Sequence, residues 1–540
     1  MFEYLNGKKP KRLLAFCIFC LCIIPKLLAF IYGCMDPFTN SLIALGVETQ
    51  INGHIPLAPY TIAGTWQTHA NFISSRAGVI SFFVTLSSIT GLSISCVSHF
   101  PIPGIIYLIV SYVLGRKIGG VILGLLFAVS FGFMWQPTLT TSSFGYQSYG
   151  NLLQILIIFI LVCKLIDQNR LQREYFILII LAFYALLQSY YMAEFLTLSI
   201  ITIMSFLLLY SRKIGLGFQS RNNIHYLALC LCIAFLAFDS IAYEFLEGVS
   251  FSLLFASASE YFSYVSSVIF GEISTAQEYR PYTHPISKCI DLASVMITWV
   301  IMLSGIVYYA YDMRRHKSKS QFNKYGSIYI IVLSLFFTFF ARVLIYASKG
   351  KVSIGWPLQT IIVYSLIQIC FISRLKTKLK YALPILLVFM SIVRFSLIWY
   401  DQSMSMTANY NSLVKPSSNW IGNNLYSGSV VSSNQISAEV FSILSEFRKA
   451  NDISVNQFGN DAKGILLYPE ENLTKIFSLR QYDYLLLSKS FENQPIYGGF
   501  WGPYIRPLGN KLEVFNNYTR LSKIYDNNIL FLYWFSDVSK

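Results

Sequence analysis

The sequence predicts a mainly α, polytopic membrane protein with a small α/β domain at its C-terminal end, and three observations lead to this class. Of the 540 residues, 55% are hydrophobic and only 12% are charged, and a soluble protein of this size could not cover so apolar a composition with polar surface. Apolar runs of about 20 residues, the length that a helix needs to cross a bilayer, recur from Leu13 to Trp399. Beyond Asp401 these runs give way to shorter and more polar segments.

The distribution of charge predicts the orientation of the helices. The net charge is +15, and residues 1–400 carry 29 basic and 14 acidic side chains, whereas residues 401–540 carry 12 of each. Six short polar connections hold 21 of those 29 basic residues, and the positive-inside rule places such connections in the cytoplasm. The excess of positive charge is therefore a topology signal, and no nucleic-acid partner is predicted.

The number of crossings depends on the apolar run from Ala77 to Ile94. If this run crossed the bilayer, every later basic connection would lie outside, so we expect it to lie at the outer surface or to dip into it. The run "GIIYLIVSYVLGRK" then forms the second crossing. The count becomes about 11 spanning helices with the N-terminus inside. These expectations describe a multi-pass protein of the cell membrane whose C-terminal domain is extracytoplasmic.

Two domains are predicted. Residues 1–400 form the transmembrane domain, with a first outer loop at 35–76, and residues 401–540 form the extracytoplasmic α/β domain. In the second domain, "SVVSSNQISAEVFSILSEFRKAND" predicts a strand followed by an amphipathic helix, and "RQYDYLLLS" predicts a buried strand. The segment "LSKIYDNNILFLYWF" predicts a terminal hairpin that turns at Asp526, Asn527 and Asn528.

Two acids mark the first outer loop. Asp36 follows the first apolar run, and Glu48 lies in "NSLIALGVETQINGHIP", a pattern that predicts an amphipathic helix ended by Gly53 with Pro56 beyond it. A carboxylate held at the membrane surface and partly desolvated can act as a general base or as a metal ligand. The alternative reading of each acid is a solvated loop residue, and the sequence leaves both open.

These features resemble the GT-C superfamily of membrane glycosyltransferases, which includes protein O-mannosyltransferases, aminoarabinose transferases and oligosaccharyltransferases. The resemblance lies first in the N-in helix, the acid at its outer end and the surface helix running into "INGHIP". It extends to "YLIVSYVLGRKIGGVILGLLFAVS", which resembles the second and third helices around a cytoplasmic Gly-Arg-Lys turn, and to "LLQSYYMAEFLTLSIITIMSFLL", which resembles a later hairpin. The segments "NWIGNN" and "SKIYDNNILFLY" resemble the soluble domain of prokaryotic members.

The resemblance implies an inverting, hexosyltransferase-like enzyme with a polyprenyl-phosphate-linked sugar as donor. The acceptor would be a glycan, a lipid or a protein on the outer face, and the enzyme itself would contact membrane lipids. Asp36 would be the catalytic acid of the first loop, and Glu48 is a positional candidate for its partner. Many members carry a second acid in the loop after the third helix, but "WQPTLTTSSFGYQSYGN" has no carboxylate. A divalent cation (Mg²⁺ or Mn²⁺) as cofactor therefore stays open, and no metal ligands are assigned.

Two arginines are candidates for binding the donor phosphate. Arg342, in "FFARVLIYASKGK", is predicted near the outer end of a late helix, and Arg394 occupies a similar place in the last helix. Basic residues there are also common anchors to lipid headgroups, although a charge inside a span suggests a function. Lys26, in the first helix, is expected to pair with an intramembrane charge such as Glu194.

Four further residues on the predicted outer side are candidates for the substrate cavity. His54 and Arg76 lie in or beside the first outer loop, and Glu278 and Arg280 lie in the aromatic-rich outer loop 244–288. Aromatic-rich surfaces stack on sugar faces, but they also anchor loops at the membrane interface.

Two other functions compete with the glycosyltransferase. A polysaccharide polymerase or ligase would also use a lipid-linked sugar, but its large outer loop is expected between late helices and not at the C-terminal end. A lipid-linked glycan flippase or transporter is expected to show pseudo-repeats and broken helices at mid-membrane, and the sequence shows no matching halves.

Overall fold

The structure is a computed structural model. It describes residues 37–55, 77–100, 102–132, 146–166, 173–189, 191–213, 222–246, 410–425, 427–433, 453–458, 461–492, 496–497, 504–505 and 508–536, with residue 436 and isolated helical residues at 20–27 and 300–396. The chain divides into two compact units. The helical unit comprises Met1–Ile31, His99–Thr275 and Pro285–Trp399, and the mixed unit comprises Tyr32–Ser98, Ala276–His284 and Tyr400–Lys540.

The first part of the chain is helical wherever it is described. Its helices are α1 Pro37–Asn52, α2 Ala77–Thr90, α3 Ile94–His99, α4 Ile102–Gly119, α5 Val121–Gly132, α6 Tyr146–Ile166, α7 Arg173–Leu187, α8 Tyr191–Lys213 and α9 Asn222–Leu246. Two stretches of the described residues, Cys96–Lys117 and Ala193–Tyr210, are long and apolar enough to cross a membrane. The 14-residue α2 falls short of the about 20 residues that a crossing needs, so the expected surface position of this segment remains consistent with the structure.

The outward faces of the later helices are apolar. On α7, Leu181 and Tyr184 are 60% and 56% exposed, and on α9, Leu229 and Ile233 are 58% and 59% exposed. These positions recur at the three- to four-residue spacing of one helix face. A continuous apolar face of this kind would be unfavourable in water, so the helical unit has the surface of a protein that faces lipid.

The turn between α4 and α5 depends on two glycines. Gly120 has φ +89°, a conformation that glycine adopts without the steric cost of a Cβ, and its N–H donates to the Arg116 carbonyl at 2.9 Å. A Cβ on Gly124 would lie 2.7 Å from the Tyr112 carbonyl oxygen and 2.9 Å from the Arg116 nitrogen. The two helices therefore meet backbone to backbone and form the expected hairpin, but the turn lies at Gly120, because "GRK" is still helical.

The C-terminal part is an α/β domain built on a mixed sheet. Its elements are α10 Tyr410–Asn424, β1 Gly428–Ser432, β2 Ile453–Gln457, α11 Ala462–Leu467, α12 Pro469–Arg480, β3 Tyr484–Ser488, β4 Ile496–Tyr497, β5 Tyr504–Ile505, α13 Val514–Asn517, β6 Leu521–Asp526 and β7 Leu530–Phe535. The five-stranded sheet has the order β2-β1-β3-β7-β6, and β4 pairs with β5. Strand β1 is parallel to β2 and β3, whereas β7 is antiparallel to β3 and β6.

Three sequence predictions for this domain are confirmed. Strand β1 forms in "SVVSS", and β3 is a buried strand in which Leu485, Leu486 and Leu487 are all 0% exposed. Strands β6 and β7 form the terminal hairpin, and Asn528 takes the left-handed conformation at its turn with φ +64°. The helix predicted after β1 lies in residues that, apart from residue 436, the structure does not describe.

Strand β7, an interior strand of the sheet, carries a buried tyrosine. The Tyr533 side chain is 1% exposed, and its hydroxyl donates a hydrogen bond of 2.8 Å to Asn516 Oδ1. Burial, together with the negative charge of Asp526, raises the pKa of Tyr533 to about 12. The phenol is therefore held neutral inside the core, because ionisation there would place an unsolvated charge beneath the sheet.

Candidate active site

The best-described part of the predicted site is helix α1. It begins at Pro37, the residue directly after Asp36 in the sequence, and proline suits a first helical turn because its missing N–H would have no partner inside the helix. It ends at Gly53, whose φ is +73° and whose N–H donates to the Thr49 carbonyl at 2.9 Å, a typical glycine C-cap. The helix and its end are as predicted, but its polar and apolar residues are not segregated to opposite faces, so the expected amphipathic pattern is not found.

Helix α1 is held by its neighbours in the mixed unit. Its side chains Leu42, Ile43 and Leu45 are at most 1% exposed. A Cβ on Gly46 would lie 3.1 Å from side-chain atoms of Ile94 in α3, so this glycine allows the two helices to approach closely. Gln50 Nε2 lies 3.5 Å from Ser87 Oγ in α2. The three helices thus fix the segment that follows Asp36, as a site on a membrane surface requires.

Two of the eight predicted site residues lie among the residues that the structure describes. Glu48 lies in the third turn of α1, and His54 is exposed one residue beyond the Gly53 cap. The structure therefore brings these two candidates to the C-terminal half of one helix and its cap. The other six candidates lie outside the described residues and remain predictions; they are Asp36, Arg76, Glu278, Arg280, Arg342 and Arg394.

Metal ligands can be identified only among the described residues. Among the residues that the structure describes, no group of three or more His, Cys, Asp or Glu side chains could hold a metal ion. The sequence between α5 and α6, residues 133–145, contains no carboxylate.

The helical unit contains buried polar side chains that the sequence reasoning did not single out as a site. Ser148, Asn151 and Gln154 follow each other at intervals of three in α6, and each is 1% exposed. Glu194, in the first turn of α8, is 4% exposed. The sequence does contain a signal for this site. The polar side chains recur every three residues in an otherwise apolar helix, and this spacing places them along one helix face.

A hydrogen bond joins α6 to the first turn of α8. Gln154 Nε2 donates to the Ala193 carbonyl at 3.3 Å, and the Thr197 hydroxyl donates to the same oxygen at 2.7 Å. Helices α6, α7 and α8 pack against one another. The side chain of Gln154 is therefore fixed beside the residue that precedes Glu194.

Two solved structures are similar to the chain along most of its length, and both are of an oligosaccharyltransferase from Archaeoglobus fulgidus. The complex with Zn and sulfate has a TM-score of 0.52 at 13% sequence identity, covering 94% of this chain and 78% of that one. The apo form has a TM-score of 0.50 at 11% identity, covering 95% and 79%. The chain shares the fold of these structures.

The likeness confirms the fold that the sequence resemblance implied, mostly helical with a small C-terminal sheet. At such identities it establishes the fold alone, since one fold hosts many activities. No family model matches the chain, and no curated protein matches it.

Proposed function

We propose that the protein is a membrane glycosyltransferase that moves a sugar from a polyprenyl-phosphate-linked donor to an acceptor on the outer face of the membrane. The observation that carries the proposal is the likeness to oligosaccharyltransferase structures over 94% of the chain. It is supported by helix α1, which starts directly after the acid in the position that the GT-C resemblance gives to the catalytic residue. The C-terminal domain would lie outside the cell, and the helices would cross the membrane several times.

The proposed reaction is a single displacement with inversion. The oxygen of an acceptor hydroxyl attacks the anomeric carbon of the donor from the side opposite the phosphate. The bond between that carbon and the phosphate oxygen breaks, and the polyprenyl phosphate leaves with the electron pair. Asp36 accepts the hydroxyl proton as the new bond forms. This assistance matters because a free hydroxyl is barely ionised near neutral pH.

The remaining candidates have supporting roles in this proposal. Arg342 and Arg394 would bind the donor phosphate, since guanidinium groups pair with phosphate oxygens through two parallel hydrogen bonds. His54, Arg76, Glu278 and Arg280 would line the substrate cavity. Glu48 would support the first loop, because it belongs to the α1 helix that α2 and α3 hold in place.

The decisive experiment compares two amide variants. Asp36→Asn preserves shape and hydrogen bonding but cannot accept the proton, so turnover should fall by about 10²–10⁴-fold. Glu48→Gln, a matched change within the same loop, should cost far less. Transfer would be measured on purified protein with a prenyl-phosphate-linked hexose, with donor binding measured in parallel. Parental turnover by Asp36→Asn would remove the proposed base.

The donor contact has a separate test. Arg342→Lys keeps the charge but loses the planar pair of donors, so affinity for a prenyl phosphate should fall, and Arg342→Ala should lower it further. Equilibrium binding of prenyl phosphate to the purified variants checks this. Unchanged binding by Arg342→Ala would leave the residue as a lipid anchor and transfer the phosphate role to Arg394.

A further inference from the structure

We propose that Asn151, Gln154 and Glu194 form a binding site for the sugar hydroxyls of the lipid-linked donor. These three side chains, from here the α6–α8 polar cluster, are buried among apolar helices, with exposures of 1%, 1% and 4%. The inference rests on the proposed function, because it supplies the sugar contact that the proposed donor needs. It concerns residues that neither the GT-C resemblance nor the sequence patterns assigned to donor binding.

The α6–α8 polar cluster stands out because of its surroundings. Helices α6 and α8 are otherwise apolar over most of their length, and Ala193–Tyr210 is apolar enough to cross a membrane. A carboxylate inside such a segment is costly and by default indicates a function. Glu194 is the one acid of the described α8 helix, and the Gln154 amide is fixed beside its first turn by the hydrogen bond to the Ala193 carbonyl.

The strongest indication of a ligand is an oxygen without a donor. Gln154 uses its Nε2 to bond the Ala193 carbonyl, but its Oε1 is buried and accepts no hydrogen bond from any residue that the structure describes. Buried polar atoms in folded proteins almost always have partners, because leaving one unpaired is unfavourable. A bound hydroxyl would supply the missing donor.

The chemistry of the cluster selects the kind of ligand. The carbonyl oxygen of a carboxyl group accepts hydrogen bonds, and an asparagine amide both donates and accepts. Together with Gln154 Oε1 they present a surface that is rich in acceptors and carries no positive charge, which suits the several hydroxyl donors of a sugar better than a phosphate. The basic residues of the same two helices lie far from it, since Lys164 is in the last turn of α6 and Arg212 and Lys213 end α8.

The alternative role is to hold the helices together. Polar side chains between membrane helices also act as interhelical hydrogen-bond partners, and Gln154 Nε2 makes one such contact. However, that contact uses only the donor half of the amide and leaves the acceptor half buried. A purely structural role therefore does not account for Oε1, and the two roles predict different behaviour on substitution.

The first test measures binding without transfer. Purified full-length protein in lipid nanodiscs is titrated with farnesyl phosphate and with farnesyl phosphate carrying glucose, mannose, galactose or N-acetylglucosamine. Glu194→Gln should weaken binding of the preferred sugar-bearing lipid by about tenfold, as expected for one lost hydrogen bond. Binding of bare farnesyl phosphate should not change.

Thr197→Val is the matched control, because the Thr197 hydroxyl donates to the Ala193 carbonyl of its own helix. This variant should bind every lipid as the parent does. Equal binding of all sugar-bearing lipids and bare farnesyl phosphate by the parent protein would overturn the inference. An equal loss for both lipid types in Glu194→Gln would overturn it as well.

The second test separates binding from helix packing. Gln154→Leu removes the unpartnered oxygen, so thermal stability should be retained or raised while binding of the sugar-bearing lipid weakens. Lower stability with unchanged binding would mean that the side chain only joins the helices. The inference can also fail or stand apart from the proposed function. If the protein binds sugar through Glu194 but transfers none, the binding site stands and the proposed transferase function fails. If Glu194→Gln transfers sugar at the parental rate, the transferase function stands and the binding site fails.

Discussion

The C-terminal domain and the helical unit bury their polar side chains in different surroundings. In the domain, polar side chains complete the sheet: Ser432 Oγ donates to the Leu486 carbonyl at 2.6 Å, and Asn456 Nδ2 donates to Ser429 Oγ at 2.7 Å. In the helical unit, Gln154 keeps an oxygen without a donor among the described residues. Apolar burial drives folding in water, but lipid is as apolar as a leucine side chain. Ser433 Oγ in the domain also lacks a partner in the part of the chain that the structure describes, but a helix that faces lipid has no surrounding water to bond its polar groups, so the unpaired oxygen of Gln154 points more strongly to a function.

The largest expected effect tests how closely the helices of the helical unit pack. Gly124→Leu should destabilise the protein by at least about 3 kcal/mol, the upper end of overpacking costs, because even a Cβ would lie 2.7 Å from the Tyr112 carbonyl oxygen. The measurement is the yield and thermal stability of monodisperse protein in detergent. Val113→Leu, at a position of α4 that is 37% exposed, is the control and should behave like the parent. Parental stability of Gly124→Leu would mean that α4 and α5 can separate freely.

The next effect concerns the core of the C-terminal domain. Leu486→Ala removes a side chain that is 0% exposed at the middle of the sheet and should cost about 2–5 kcal/mol. Leu479→Ala, at a position on α12 that is 73% exposed, should change stability by less than about 0.5 kcal/mol. Denaturant unfolding followed by tryptophan fluorescence checks both. If the two variants lose similar amounts of stability, the outer face of α12 does not face water. The C-terminal domain would then resemble the helical unit in having a covered apolar surface.

The smallest effect concerns the buried tyrosine and has a defined pH dependence. The pKa of Tyr533 is raised to about 12 in the folded protein, whereas an unfolded tyrosine ionises near 10, so the unfolded state loses its proton first. This contribution to stability is complete below pH about 10 and is lost as pH rises toward 12, by up to about 1.4 kcal/mol per pH unit. Tyr533→Phe removes the hydrogen bond to Asn516, so its free energy of unfolding at neutral pH should be lower by about 1 kcal/mol. Above pH about 10 its stability should fall less steeply with pH than that of the parent protein. The measurement is the unfolding midpoint of both proteins as a function of pH. If the midpoints fall in parallel, another group is responsible for the loss of stability at alkaline pH.

The sequence predicted those elements whose signals are local. The Gly53 cap, the hairpin turn at Asn528 and the buried strand of β3 each depend on a few adjacent residues, and all three are confirmed. The α6–α8 polar cluster depends on two helices meeting at one level, which a pattern within either helix does not encode. Its uncharged members also attract less attention than Glu194, which the sequence suggested only as an ion-pair partner for Lys26, a residue outside the described set.

The proposed active site was less accessible to sequence reasoning for a similar reason. The helix that follows Asp36 could be predicted, but the partners that hold it, Ile94 and Ser87, lie about 40 residues further along the chain. The roles of Asp36, Arg342 and Arg394 rest on resemblance and remain predictions. So does the division at residue 400, although the compact units place residues 32–98 with the C-terminal residues.

The strand order of the sheet has a consequence for how the protein can be shortened. Strand β7 is the last of the five to be synthesised, yet it lies between β3 and β6 and pairs with both. Until the ribosome has added Leu530–Phe535, strand β3 has an open edge made of leucines, and β6 has no partner. Open apolar edges pair with strands of other chains. A premature stop even ten residues upstream of Lys540 would therefore expose the edge of β3, and the shortened protein would aggregate.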